Sequence, residues 1–357
     1  MNPVLTVPLL TEPSYIDFLT TVKKHVNSLQ FSLPGTRILD SRISLEELDM
    51  HNQVMSGLAR LPEPKKYALL NSRFFPPSLL TDNRGIAEII RSLDTFADQG
   101  LLDGIVYCDH YLLQKLSKEA PGLAGALEAV PGANCMLDSY DKVNTWLDYI
   151  GNTRFKPPGK ILLDRSLNRN LDQLAHTIRL IREKIPGMDI EVLANEGCLF
   201  RCPFKLSHDA YIGFANVSGQ DSTFRLNREL GCIRLLGREP YRILRSPFIR
   251  PEDVETYLCH VDTIKLCGRT LGGDFLQNVI TAYINRKYEG NLLELLDAAH
   301  WLAEYLHVDN SMLSFDIIDM LSLCDGNCDR CGFCQELFQS ITHRLPLTIR
   351  DNRAAVD

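Results

Sequence analysis

Short apolar runs alternate with amphipathic stretches along most of this chain. Runs at Val4–Leu9, Val26–Phe31, Tyr67–Asn71, Gly104–Cys108, Asn134–Leu137, Lys160–Leu163, Asp189–Ala194, Tyr241–Arg245 and Asp262–Cys267 read as strands. Between them, Ile86, Ile89, Ile90, Leu93 and Phe96 share one helical face, as do Leu171, Leu174, Ala175, Ile178 and Ile181, with Pro186 as a stop. Strand–helix repetition on this scale predicts a parallel sheet. Eight or nine such units in roughly 270 residues favour a closed (β/α)8 TIM-like barrel over an open sheet. From Leu271 the pattern turns helical, over Phe275–Tyr288 and Leu292–Leu306, and ends in a cysteine-rich tail. The expected organisation is a barrel over residues 1–270 and a helical C-terminal appendage over 271–357.

Composition changes this picture little. The 357 residues are 45% hydrophobic and 23% charged, which is ordinary globular usage. A net charge of −7 speaks against a globally basic nucleic-acid footprint, so RNA is a less favoured partner than a small molecule. No apolar run approaches the ~20 residues that span a bilayer, and Met1-Asn2-Pro3 lacks the basic start of a secretory signal. The expectation is a cytoplasmic protein without membrane contact. In a reducing compartment, eleven cysteines argue for metal ligation rather than disulfides.

Seven of those cysteines fall in two groups. The first follows the Met188–Ala194 run as Asn195-Glu196-Gly197-Cys198-Leu199-Phe200-Arg201-Cys202-Pro203, with His208 and Cys232 beyond it. Cys198, Cys202 and Cys232 offer three thiolates to one centre. Zinc would take His208 as a fourth ligand; a [4Fe–4S] cluster would want a fourth cysteine, with Cys267 the best placed and Cys259 a weaker choice. The second group, Cys324, Cys328, Cys331 and Cys334, reads C-x3-C-x2-C-x2-C. One continuous run of this kind is nearer to iron–sulfur than to zinc usage, and zinc stays as the alternative. Its first three cysteines match the triad of radical S-adenosylmethionine enzymes. Its late position and the closing Cys334 reject that chemistry. Cys108 and Cys135 read as small buried hydrophobes inside strands.

A barrel carries its chemistry at the C-terminal ends of its strands. Those ends hold Asn71, Asp109 and His110, Asp138, Asp164 and Arg165, Glu196, and Lys265 to Arg269. Asp138-Ser139 and Asn83 read as helix caps. Arg165 and Arg269 are poor caps and good clamps for carboxylate or phosphate, with a structural ion pair as the competing role. Arg165, Arg269 and His208 are therefore the candidates for contact with reacting groups, and Lys265, Asn71 and Asp109 for holding a ligand. Three cations beside thiolates would suit an anionic substrate or oxygen donor.

The order of these motifs resembles the collagenase-like peptidase family of U type, whose members include oxygen-independent ubiquinone-hydroxylation proteins and tRNA and rRNA hydroxylation proteins. The resemblance runs from about Val4 to Tyr288. It rests on the strand ending in Asn71, Gly104–Asp109, Ile161–Arg165, the Glu191-Val192-Leu193 strand entering Cys198, and the K-x-x-G-R element Lys265-Leu266-Cys267-Gly268-Arg269. It implies a barrel with a [4Fe–4S] cluster on four cysteines, hydroxylation without O2, and a dicarboxylate such as prephenate as oxygen donor. By position, Cys198, Cys202 and Cys232 resemble three of the ligands. The usual fourth would fall near Ser246-Pro247-Phe248, where no cysteine stands, and the tail motif is an addition. The leading expectation is an iron–sulfur modifying enzyme. The alternatives are a non-catalytic iron–sulfur or electron-transfer subunit with a heterodimer partner of the same family, and a peptidase. No G-x-S-x-G or H-E-x-x-H motif supports the last.

Overall fold

The computed structural model describes residues 5–35, 38–40, 50–219 and 223–346, with the backbone alone at 328 and 329. Val4 and the Cys328 side chain, named in the sequence reading, lie outside what is described. Eight strands run β1 (Leu5–Pro8), β2 (Val26–Ser32), β3 (Lys65–Leu70), β4 (Gly104–Tyr107), β5 (Glu128–Pro131), β6 (Lys160–Leu163), β7 (Asp189–Leu193) and β8 (Thr263–Lys265). They form one parallel sheet in the order β5-β4-β3-β2-β1-β8-β7-β6. β1 pairs with β8, Leu5 opposite Ile264 and Thr6 opposite Lys265. The barrel is thus nearly closed: at the remaining seam, β5 meets the approach to β6 through a single bridge, Glu128 with Lys156.

Strand alternation sorts the side chains. Leu29, Phe31, Ile161, Leu163, Ile190, Val192 and Ile264 join Leu93, Phe96, Ile178, Leu276 and Ile280 of the surrounding helices in one apolar core. Each such buried side chain contributes about 1.5–3 kcal/mol relative to exposure. The alternate positions face the barrel axis, and several are polar and buried: Thr6, Ser28, Gln30, Lys160, Glu191 and Lys265. They satisfy one another. The Lys160 ammonium donates to Ser28 Oγ at 2.7 Å and pairs with Glu191 at 3.3 Å. It also lies 4.7 Å from the Tyr67 ring centroid, and the Tyr67 hydroxyl donates to Glu128 at 3.0 Å.

Two strand expectations are overturned. Asn134–Leu137 is a 3-10 turn, Ala133–Cys135, followed by Met136 at φ 52°, and the fifth strand lies earlier at Glu128–Pro131. Tyr241–Arg245 lies in a 3-10 helix, Pro240–Arg245, because Pro240 sets its first turn. The helix expected over Phe275–Tyr288 runs Gly272–Asn285 and stops at Arg286 in the left-handed region. Its inner face, Leu276 to Tyr283, belongs to the barrel core. Leu292–Leu306, expected as one helix, is two 3-10 segments, Leu292–Leu295 and Asp297–Glu304. β9 (Leu306–Val308) and β10 (Thr342–Arg344) follow as a small antiparallel pair. At the break the backbone bonds elsewhere: Leu295 O accepts from the Asn195 side chain at 3.1 Å, and Asp297 N and Ala298 N donate to Asn195 O at 2.9 Å and Glu196 O at 2.7 Å. Asn291 meanwhile ties Leu293 N to Leu306 O and Val308 N.

A second core gathers Leu199, Leu236, Ile243, Leu244 and Phe248 from the long β7–β8 connection with Leu292, Leu296, Leu302, Leu321 and Phe338 from the C-terminal region. Cys202, Cys232 and Cys334 pack on its edge. Among the described residues, no helix is long and apolar enough to cross a membrane.

Candidate functional site

The ends of β7 and β8 are fastened by Asn195, a fully buried residue. Its side chain donates to Cys267 O at 2.9 Å and Leu295 O at 3.1 Å, and accepts from Cys267 N at 2.8 Å. This clasp sets the two segments carrying Cys198 and Lys265–Arg269 side by side. Two glycines are required here. Gly268 sits at φ +122°, and a Cβ on it would stand 2.1 Å from the Phe275 ring. Gly197 sits at φ +71°, where a Cβ would meet that of Leu296 at 2.9 Å. Both the K-x-x-G-R element and the approach to Cys198 thus depend on close backbone contact with later parts of the chain.

Two hollows open at the mouth. The first is lined by Gln30, Asn71, Lys205, Lys265, Cys267 and Arg269, among others. The second is bordered by Asp164, Arg165, Asn170, Arg201, Cys202 and Lys205. Lys205 belongs to both. Glu196 lines the first and Arg165 the second, and the two form an ion pair. That pair and Lys205 are the partition between the hollows.

The cations are all engaged. Lys265 donates to Gln30 at 2.5 Å, and burial pulls its pKa down to about 8, against the opposing pull of Glu191. Lys205 pairs with Asp209 and donates to Asn134 at 3.0 Å; burial lowers its pKa while Asp209 raises it. Arg269 pairs with the buried Asp40, which also accepts from Ser32 Oγ at 2.6 Å. Arg165 and Arg269 therefore hold the structural ion pairs that competed with a clamp role, and both still border a hollow.

The thiols divide. Cys202 borders the second hollow, and Cys232 lies near enough for its pKa to be raised, first by burial and then by Cys202. Cys198 lies close enough to Lys205 to act on its charge, and its carbonyl accepts from Ser246 Oγ at 2.6 Å. Cys267 borders the first hollow. Cys259 is exposed and donates to Glu255 O at 3.4 Å. Among the described residues, no three Cys, His, Asp or Glu side chains are gathered tightly enough to hold a metal ion as they stand.

Several expected roles come out differently. Asp109 caps the helix His110–Glu119 by accepting from Leu112 N at 2.9 Å, and borders neither hollow. His208 interacts with Asn227 at 3.0 Å through its ring nitrogen, also away from both. Ser139 is the cap of its helix as expected, whereas Asp82 rather than Asn83 caps the helix Asn83–Asp98. Cys135 is buried but in a turn, donating to Tyr107 O at 3.3 Å. The Cys108 thiol is held below its usual pKa by a hydrogen bond with Cys135, helped by Arg73. Lys205, Asp209, Gln30 and Asn195 were missed by sequence reading. The Lys205/Asp209 spacing of four, just after Pro203, was the available signal.

A nearly closed parallel barrel with a polar, cation-rich mouth defines the class: a (β/α)8 barrel whose chemistry faces the C-terminal ends of its strands. No family model matches the chain. A curated protein of Methanocaldococcus jannaschii, named an uncharacterized protease, is 33% identical over 238 residues, which is 66% of this chain and 65% of that protein. The chain therefore spans about two thirds of that relative's length. A solved structure titled as a U32 peptidase aligns with a TM-score of 0.44 and 19% identity, over 62% of this chain and 80% of that one. The similarity to a protein named a protease is in line with the peptidase-family resemblance carried by this chain's motifs.

Proposed function

We propose that this protein is an iron–sulfur enzyme that modifies a small anionic substrate at the barrel mouth without O2. The observation that carries the reading is one of position. The half-buried thiol of Cys202, with the half-buried Cys232 near enough to feel its charge, borders a hollow that shares its Lys205 wall with a second hollow bearing Lys265 and Arg269. Cys198, Cys202 and Cys232 would hold the cluster, with Cys267 as a fourth donor. The donor chemistry suits such a group. Ser246, fully buried against the Cys198 carbonyl, stands where the resemblance leads one to expect the fourth cysteine. When bound, the cluster supplies electron transfer. The chain's own residues do the rest: Lys265, Lys205 and Arg269 draw a carboxylate or phosphate into the first hollow, which Cys267 also borders, and the Arg165–Glu196 partition separates that ligand from Cys202.

The test is anaerobic purification with iron and sulfide analysis of the wild type and of Cys198→Ala. Iron and sulfide in the wild type, reduced in the variant, support the reading. Wild-type protein that stays free of iron after anaerobic reconstitution refutes it. A second reading, a subunit that works only with a partner, is favoured by the exposed Tyr211, Phe214 and Phe224 on the β7–β8 connection. Activity that appears only on adding a family partner distinguishes it. The relative's protease name is answered by a peptide-hydrolysis assay on metal-free protein.

A further inference from the structure

Among the described residues from Cys324 to Cys334, Cys334 alone packs against a hydrophobic core, and only at its edge. Between Leu321 and Phe338, no described hydrophobic side chain is fully buried. Its backbone bonds are local: Asn327 O accepts from Arg330 N and Cys331 N at 3.2 Å, and Gly332 O from Gln335 N at 3.0 Å. Cys324 and Cys331 are exposed and Cys334 is half-buried. Yet these three thiols line one hollow, with Tyr241, Met320 and Leu321 as its apolar walls. Gly326 at φ +80° and Gly332 at φ +64° bend the chain around that hollow. A chain this long, ordered without a core, needs another source of cohesion.

We propose that this hollow is a second, independent thiolate centre, formed by Cys324, Cys331 and Cys334 with Cys328 as the fourth donor by its place in the run. It takes a thiophilic centre, either one zinc ion or one iron–sulfur cluster. Four thiolates around either carry net negative charge. The Arg245 guanidinium lies 3.6 Å from the position of a Cβ on Gly326 and offsets it. Because Cys334 packs on the same second core as Cys202 and Cys232, the centre staples the C-terminal region to the core it shares with the connection carrying those thiols. The proposal does not depend on a cluster at the mouth.

The full chain is purified anaerobically as wild type, as Cys331→Ser/Cys334→Ser and as Cys198→Ala, and zinc, iron and sulfide are measured per chain. The double variant is expected to lose one centre's worth of zinc, or of iron and sulfide, while Cys198→Ala keeps that centre. Zinc in the lost fraction identifies a structural ion, and iron with sulfide a cluster. Metal content in the double variant equal to the wild type overturns the proposal, as does a wild type without metal after reconstitution. Should the double variant fail to fold, native thiol alkylation of the wild type decides. Cys324 and Cys331 are exposed, so only ligation would shield them. Protection that is lost on chelation supports the centre, and immediate labelling of both in metal-loaded protein overturns it.

Discussion

The barrel and the C-terminal region solve the same problem in different ways. The barrel holds by its own physics: an apolar shell outside the strands, and inside them a set of buried polar and charged groups that satisfy one another, Lys160 with Glu191 and Lys265 with Gln30. The C-terminal region borrows. Its core is shared with the β7–β8 connection, its regular elements are short 3-10 segments, helices and one strand pair, and no described apolar side chain of its cysteine segment is fully buried. The lesson is that the first region should hold without any cofactor, whereas the second should respond to one.

The comparison breaks most sharply at Glu191. Glu191→Ala leaves two buried ammonium groups without their counter-charge and should cost about 3–5 kcal/mol in urea denaturation, with tail metal content unchanged in whatever remains folded. A loss below 1 kcal/mol would mean the interior network is not closed as described. Next come two leucines of equal burial, Leu276 in the barrel core and Leu296 in the second. Truncation of either to Ala should cost about 2–5 kcal/mol locally. Leu276→Ala is expected to lower the global unfolding midpoint. Leu296→Ala should instead raise hydrogen exchange selectively over residues 292–341, and uniform exchange across both regions would contradict the division.

Sequence reading went furthest where the pattern is local. Seven of the eight strands lie on the apolar runs that announced them, because β-branched and leucine side chains there serve the outer shell. β5 escaped because it opens on Glu128 rather than an apolar residue; that carboxylate takes Lys65 Nζ at 2.7 Å and Tyr67 Oη at 3.0 Å from β3, and Gly159 N at 3.1 Å across the seam. Nothing local to Glu128 reveals those partners. The same limit governs the site. That Arg165, Lys265 and Arg269 stand at strand ends was legible, but their partners Glu196, Gln30 and Asp40 come from other strands and loops. Asp109 was legible as chemistry and turned out to be a cap, a role that the same residue type in the same place fills equally well.

Smaller effects sharpen the mouth. Arg269→Met should lower stability by leaving the buried Asp40 without its counter-charge and, in protein that stays folded, weaken binding of a carboxylate ligand by about tenfold, the scale of one charge-assisted hydrogen bond, as read by titration calorimetry. Unchanged affinity would confine Arg269 to its pairing with Asp40. The gentlest probe is pH. Lys265 releases its proton near pH 8 when folded, against about 10.4 in an unfolded chain. Between those values the unfolded state holds the extra proton, so stability should rise as pH climbs from 8, until tyrosines ionise near about pH 10. Lys265→Met should abolish that rise in denaturation midpoints measured at pH 7.5 and 9.5.

The pairing of β1 with β8 has a consequence for how the molecule is made. Leu5 and Thr6 leave the ribosome long before Ile264 and Lys265, where one edge of their strand finds its neighbours. Until β8 is made, β1 carries an open row of amides and carbonyls, and the half-barrel β1 to β5 grows from its other side. An emerging chain in this state is a template for another copy's strand. Slow translation or a stall before β8 is therefore the moment at which this protein is most exposed to misassembly, and a chaperone that shields β1 would matter more than one acting on the finished fold.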